Sequence, residues 1–547
     1  MRILIIGAVA GGTSAAAKAR RNREDAEIVI YEKDSSISYS SCGMPYLIGG
    51  VIASREELEP RDPQFFKEKY NVDVKSGHEV LSIDTVAKTL QVKELSTGNV
   101  FTDSYDKLIL ATGAKSMIPA IPGIQLPHVF TLRTFTDMTS IMDFLNAQKP
   151  KHAVVIGSGF VGLECCENFS RLGIEVTLLE KMDQVAPGLD EDVAIHIREH
   201  LEENKVKVFT NVWIDAIEQT RVLLKDGTKI PAEMVLVATG VKPETAIAKA
   251  AGVELGPTGG ILVDPAMETC IPGIYACGDC IEQFHQITGK PVWKPLGSTA
   301  NKTGRIAGDT VTGGDMEFRG VLGTAIFKIF ELTVALTGLT EAEAHEAGYD
   351  IEICHNIKRN KPEYMGGRHM TIKAIADRAT GKMLGAQIIG RDGVDKRIDV
   401  FATALTYGAK AEDLFHLDLA YAPPYSNAKD PVMYTGMILD NAMNKGRKLI
   451  LPKDLDDATS SGQKVQLIDT READDFDKNH LENAINIPHK NIRSIIAEND
   501  SLDKDALTVT YCNKGVTGNA VQNILMNNGF KNVANLSGGK RSYRKPK

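Results

Sequence analysis

The sequence predicts an α/β protein: two doubly wound domains, an α+β domain, and a smaller α/β unit at the C-terminal end. Three observations predict it. A strand–glycine turn–helix–strand unit occurs twice, at residues 2–32 and 153–180. From about residue 321, helix and strand patterns alternate without a glycine turn. A polar stretch, Lys453 to Gln463, then precedes a fresh strand at Val465–Ile468. The expected boundaries are 1–112 with 246–320 for the first doubly wound domain, 113–245 for the second, 321–445 for the α+β domain, 446–463 for a linker and 464–547 for the last unit.

Bulk properties agree with a multidomain globular chain. It has 547 residues, 43% hydrophobic and 24% charged, enough for several cores. A net charge of −8 gives no bulk attraction to nucleic acid. The basic tail from Lys540 to Lys547 reads either as a solvated terminus or as an attractor of an anion such as a phosphate. The first apolar run, Ile3 to Ile6, stops at Gly7, too short for a signal-peptide core, and no apolar stretch reaches the roughly 20 residues of a membrane span. A cytoplasmic location without membrane contact is the expectation. Eight cysteines do not make a disulfide framework in a chain of this length; they suit a reducing compartment, where a special cysteine is catalytic.

The first repeat opens with a buried strand at residues 2–6, the turn Gly7-Ala8-Val9-Ala10-Gly11-Gly12, an Ala-rich helix from Thr13 to about Arg23, and a strand Glu27–Tyr31 ending at Glu32. The second has Ala153–Ile156, the turn Gly157-Ser158-Gly159-Phe160-Val161-Gly162, a helix, and Val176–Leu179 ending at Glu180. Glycines at such a turn let the backbone approach a pyrophosphate at a helix N-terminus, and the acid after the next strand accepts bonds from ribose hydroxyls. Glu180 would repel a 2′-phosphate, which favours NADH over NADPH, although Lys181 is its neighbour. Two later segments support FAD at the first repeat. Leu108–Gly113 runs from a strand into a small-residue turn, and Gly273–Asp279 ends in Gly-Asp, where the carboxylate suits a ribityl chain.

Cys42 follows the first repeat, in Ser38-Tyr39-Ser40-Ser41-Cys42-Gly43-Met44-Pro45-Tyr46, with a tight turn and small neighbours. A thiolate there can meet an oxidised flavin and attack sulfur. Together these motifs resemble the pyridine nucleotide–disulfide oxidoreductase family over residues 1 to about 445. Members of the glutathione-reductase type carry a second cysteine five residues on; position 47 here is Leu. The single cysteine and the first glycine turn are similar to the family's coenzyme A–disulfide and persulfide reductases. The peroxidase and oxidase relatives have a His where Ala10 stands.

The resemblance implies FAD contacts at Gly7, Ala10, Gly11, Glu32, Lys33, Val80, Thr112, Gly113, Asp279 and Ala300. It implies NAD contacts at Gly157, Gly159, Phe160, Val161, Glu180 and Gly240. Contacts to coenzyme A fall on Ser14, Lys18, Arg21, Ser38, Ser41, Lys69 and Lys429. Leu419–Pro431 also matches the family, implying that Tyr421, helped by Tyr425, reaches the active site of a partner in a homodimer. The sequence departs from the family at Glu363 and Met365, where Tyr and Pro are usual, and at Ser41, where Asn is usual. Cys165, Cys166, Cys277 and Cys280 read as inert, the last two bracketing the flavin Asp, and no metal site is expected.

Finally, Leu467–Glu472, His480–Pro488 and Val509–Gly518 resemble a single rhodanese domain over about residues 455–547. A cysteine at a strand end, curling onto a helix N-terminus, is wrapped by backbone N–H groups that stabilise a thiolate or persulfide. Cys512 holds that place, and Thr517 stands where many rhodanese loops carry Arg. The expected activity is NADH-driven, FAD-dependent reduction of persulfides, polysulfides or CoA disulfides, with Cys42 and Cys512 as the working sulfurs. The alternatives are an NADH oxidase or peroxidase using a sulfenic acid, and a redox sensor with the rhodanese unit as a binding module.

Overall fold

The computed structural model describes residues 1–498 and 502–544. The chain divides into two compact units, Met1–Ala186 with Leu201–Gly323, and Pro187–His200 with Thr324–Lys547.

In the first unit the strands and helices that matter are β1 (Arg2–Ile6), α1 (Ala10–Asn22), β2 (Glu27–Tyr31), β3 (Asp73–Lys75), β4 (Lys107–Leu110), β5 (Val129–Phe130), β6 (His152–Ile156), α2 (Phe160–Arg171), β7 (Glu175–Leu179), β8 (Lys207–Phe209), β9 (Met234–Val237), β10 (Ile274–Ala276) and α3 (Gly297–Thr310). They form two parallel sheets of matching design, β10-β4-β1-β2-β3 and β8-β7-β6-β9-β5. Ile3, Leu4 and Ile5 are fully buried, as a strand covered on both faces requires. In each sheet the order reverses beside the first strand of the repeat, between β1 and β4 and between β6 and β9. A doubly wound sheet opens its ligand crevice at the carboxyl ends of such strands.

The glycines explain the close packing there. Gly7 and Gly157 have φ of +106° and +102°, a conformation that L side chains rarely adopt. A Cβ on Gly12 would strike the Gly7 carbonyl oxygen, and one on Gly162 the Gly157 carbonyl oxygen. Glycines four residues apart on α3, Gly304 and Gly308, lie against the backbone of Gly11 and Ala15, so α1 and α3 cross at near-backbone contact.

The second unit holds an antiparallel sheet and a parallel one. The antiparallel sheet runs β11 (Ala325–Ile329), β12 (Leu332–Gly338), β15 (Met383–Gly390), β14 (His369–Asp377), β13 (Ile351–Arg359), with α4 (Val394–Thr406) and α5 (Pro431–Asn444) after it in the chain. The parallel sheet runs β16 (Leu449–Ile450), β20 (Val533–Leu536), β19 (Leu507–Tyr511), β17 (Val465–Asp469), β18 (Ile485–Asn486). The segment 446–463, expected as a linker, instead supplies β16 and the helix α6 (Pro452–Ser460), and β16 pairs with β20. Asp454, Asp457, Ser460 and Ser461 are exposed, Asp456 is half-buried and accepts from the Tyr543 hydroxyl, and Leu455 and Ile450 join the core of Leu467, Val509 and Leu536. The basic tail also differs from a free terminus: Lys540 and Arg541 form a turn whose Lys540 N–H donates to the Cys512 carbonyl at 2.8 Å. The rest of that tail, residues 545–547, lies outside the described residues.

Candidate functional site

The two glycine turns make cradles with one hydrogen-bond pattern. Glu32 Oε2 accepts from the Ala8 N–H at 2.8 Å and Oε1 from the Asp34 N–H at 3.0 Å. Glu180 Oε2 accepts from the Ser158 N–H at 2.8 Å and Oε1 from the Met182 N–H at 2.9 Å. Each acid is thus locked to its own turn, with lone pairs left over for a ribose. Burial holds the Glu32 carboxyl above its ordinary value, against the pull of those two N–H groups. Lys181 lies 4.3 Å from the Trp213 ring, a cation–π contact. Phe160 and Val161, at the mouth of α2, are 40% exposed each, and Gly240 turns at φ +101° beyond β9.

The first cradle is closed by distant segments. Gly11 meets the Cys277 sulfur, the Gly278 N–H donates to Thr303 Oγ1 at 3.0 Å, and buried Ala300 packs on Gly278. Asp279 is held by Arg133, Nη2 to Oδ2 at 3.0 Å. Burial raises the Asp279 carboxyl while Arg133 opposes it. Thr112 donates to the Glu244 carbonyl at 2.5 Å, and Gly113 follows at φ +69°. Lys33 is exposed and Val80 half-buried on the strand His78–Asp84. A turn opened by Gly7, Gly11 and Gly12, a fixed carboxylate for a ribose, and a second, cation-held carboxylate fit FAD.

Cys42 is exposed, in the turn Ser41–Gly43 ahead of the short helix Met44–Ile48. From that helix the Tyr46 hydroxyl donates to Glu164 Oε1 on α2 at 3.3 Å. Burial lifts Glu164 to about 7. Ser38 holds φ +50° and bonds to the Ala8 carbonyl at 2.8 Å, which pins the cysteine segment to the first turn. Five of the other thiols are poor nucleophiles: Cys165, Cys166, Cys277, Cys280 and Cys354 are fully buried, and burial pushes each of them up.

Of the residues expected to meet coenzyme A, Arg21 and Lys69 lie 5.6 Å from the Tyr70 ring, with Lys69 5.1 Å and Arg61 5.7 Å from Phe65. Three exposed cations on one aromatic patch suit phosphates. Lys18 is no free cation: it pairs with Asp309 at 2.9 Å. Ser14 donates to Asn301 Oδ1 at 2.7 Å.

In the second unit the tyrosine segment is anchored at one end. Asp430 caps α5 and pairs with buried Arg397 at 2.7 Å, leaving Tyr421 and Tyr425 52% and 73% exposed. Lys429 is exposed too, 5.7 Å from the Tyr434 ring. Glu363 pairs with Arg359 at 2.5 Å. Cys512 directly follows β19 and is 6% exposed, in a loop leading through Gly515 onto α7 (Val516–Asn527). Thr517 Oγ1 lies 3.1 Å from Thr470 Oγ1.

The profile for pyridine nucleotide-disulphide oxidoreductase matches residues 1–294, and the family's dimerisation domain matches 324–432. The chain belongs to the pyridine nucleotide-disulphide oxidoreductases. A rhodanese-like domain matches residues 451–545. This oxidoreductase is 35% identical to an NAD(P)H sulfur oxidoreductase (CoA-dependent) of Pyrococcus furiosus, across 80% of the chain and 99% of the relative. It is similar along its length to the solved structure of reduced Bacillus anthracis CoADR-RHD, with 38% identity, 99% and 97% coverage and a TM-score of 0.96. A NAD-dependent persulfide reductase from A. fulgidus superposes with a TM-score of 0.92 at 35% identity, with both chains fully covered. Family membership makes the chain an FAD- and NAD(P)H-type enzyme.

Sequence reading missed Arg133, Glu164 and Arg61 in this oxidoreductase. Arg133 stands 146 residues from its partner Asp279, and no local pattern marks it. Glu164 did carry a signal, an acid between Leu163 and Cys165 on a helix face that is otherwise buried.

Proposed function

We propose that the protein is a homodimeric flavoenzyme that uses NADH to reduce persulfides, polysulfides or CoA disulfides at Cys42, with Cys512 handling sulfane sulfur. One observation carries this reading: the exposed thiol of Cys42 is tied by Ser38 to the FAD cradle and by Tyr46 to the NAD helix, with Leu47 where a second cysteine would stand. Such a cysteine closes its sulfur–sulfur bond with a substrate rather than within the chain.

The Cys42 thiolate attacks one sulfur of the donor's S–S bond, and a thiolate leaves. Bound FAD would relay two electrons from NADH, which free the sulfur again and restore Cys42. The Arg21, Lys69 and Arg61 patch would hold the phosphates of a CoA carrier, and Tyr421 and Tyr425 would serve the other subunit of the dimer. The sulfur- and persulfide-reductase names of the relatives support the same chemistry, and Ala10 in place of His weighs against a peroxidase.

Steady-state NADH oxidation with CoA disulfide, CoA persulfide, polysulfide, hydrogen peroxide and oxygen tests it. The expected result is a kcat/KM for at least one sulfur substrate that exceeds those for peroxide and oxygen by about a hundredfold or more, two powers of ten at about 1.4 kcal/mol each. A preference for peroxide or oxygen would overturn it.

A further inference from the structure

The loop of Cys512 lacks an Arg at Thr517, yet the cysteine does not lack cations. Lys514, two residues on, places its Nζ 3.1 Å from Nε2 of His369 at the start of β14 in the dimerisation domain. An ammonium has no lone pair, so His369 is the acceptor and its Nε2 carries no proton. Lys358 lies on the neighbouring strand β13, its Nζ 3.7 Å from the Tyr434 ring. Arg359 follows it, fixed by Glu363 at 2.5 Å and by the Gly367 carbonyl at 2.7 Å. The rhodanese turn is seated on the same strand: the His355 N–H donates to Ser537 Oγ at 2.8 Å. That turn then returns to the loop, with Lys540 N–H on the Cys512 carbonyl at 2.8 Å and Arg541 N–H on the Asn513 carbonyl at 3.2 Å.

The electrostatics agree with this placement. Burial, Lys514, Arg541 and Arg359 bring His369 down to about 4, so it is neutral at pH 7. Lys358 and Lys514 are both held below the usual lysine value, chiefly by burial and then by neighbouring cations, and the Cys512 sulfur pulls both back up. Glu363 is the acid that also faces Lys514. On the rhodanese side Arg471 donates to Asn513 Oδ1 at 3.2 Å and is itself paired with buried Asp469 at 2.6 Å.

We infer that Cys512 works in a composite anion site, half rhodanese loop and half dimerisation domain, in which His369 positions Lys514 to receive a negatively charged sulfane-sulfur donor. The inference rests on the reading of Cys512 as a sulfur carrier. The step is a displacement: the Cys512 thiolate attacks the terminal sulfur of a persulfide or polysulfide anion, the new Cys512 S–S bond forms, the donor's S–S bond breaks, and the shortened donor leaves as an anion. Two negative charges enter and two remain, with no external oxidant or reductant. Two anions must therefore meet, and that encounter is what the cations favour.

The test uses the full chain with Cys42→Ser and Cys270→Ser, without NADH, so that failure of the reductase reading leaves it unaffected. Inorganic tetrasulfide and CoA persulfide are the two donors, and persulfide on Cys512 is read by rapid alkylation and peptide mass. His369→Leu should slow loading about tenfold and raise the pH midpoint of loading by about one unit. His369→Gln, which keeps an acceptor oxygen, should stay within about threefold of the parent, well under 1 kcal/mol. Lys358→Met should also slow loading, more with CoA persulfide if the donor is a phosphorylated thiol and equally with both if it is inorganic. Unchanged loading in His369→Leu, an equal fall in His369→Gln, or no effect of Lys358→Met on either donor would overturn the inference.

Discussion

The two nucleotide cradles share one design and differ in how they are closed. In both, a glycine at φ above +100° starts the turn, a second glycine lies on its carbonyl, and an acid is clasped by two backbone N–H groups. The first is roofed by segments more than 250 residues away: Cys277 and Gly278 meet Gly11, and α3 crosses α1 through Gly304 and Gly308. The second leaves Phe160 and Val161 substantially exposed at its mouth. A roofed cradle suits a group that stays, and an open one suits a coenzyme that must enter and leave each turnover.

Breaking the roof gives the largest effect. Gly304→Val puts a branched side chain where even a Cβ would strike the Gly11 carbonyl oxygen. The expected outcome is protein that loses its flavin on gel filtration while still binding NADH by fluorescence quenching; retained flavin would mean the helix crossing does not close the site. The cost of such overpacking is about 1–3 kcal/mol or more.

The open cradle is sharpened by coenzyme choice. Glu180 has both oxygens engaged by its turn and is buried, so a 2′-phosphate meets a fixed negative charge. Lys181 is engaged with Trp213. NADH should exceed NADPH in kcat/KM by about tenfold or more, the equivalent of at least 1.4 kcal/mol. Equal values would show that Lys181 leaves the indole to meet the phosphate.

Much of this was legible in the sequence because it is local. Glycine turns, strand-end acids and Cys42 lie within short windows whose periodicity reports backbone geometry directly. What was not legible is pairing across the chain: Asp279 with Arg133, Lys18 with Asp309, Lys514 with His369. The elements within residues 446–463 were not legible for a related reason. Asp454, Asp456 and Asp457 read as loop, but on α6 Asp454 and Asp457 are exposed, Asp456 accepts from the Tyr543 hydroxyl, and Leu455 is buried.

An effect on stability rather than on coenzyme binding comes from the bridge between the Cys42 segment and the NAD helix. Burial raises Glu164 from 4.5 to about 7, so the folded protein keeps a proton there that the unfolded chain has already released. Stability from this group is therefore full at low pH and is lost as pH rises from about 4.5 through 7, by about 3 kcal/mol in all. Glu164→Gln should flatten that part of the melting-temperature profile; an unchanged slope would place the loss elsewhere.

The proposed division of labour gives electron exchange with sulfur to Cys42 and sulfur carriage to Cys512. It is tested most directly by reducing the enzyme anaerobically with NADH, mixing it with a small persulfide, and following flavin absorbance in a stopped-flow instrument. Wild-type reoxidation is expected in Cys512→Ser, and none on the turnover timescale in Cys42→Ser although its flavin is bound and reduced. Reoxidation in Cys42→Ser, or equal loss in both variants, would contradict it.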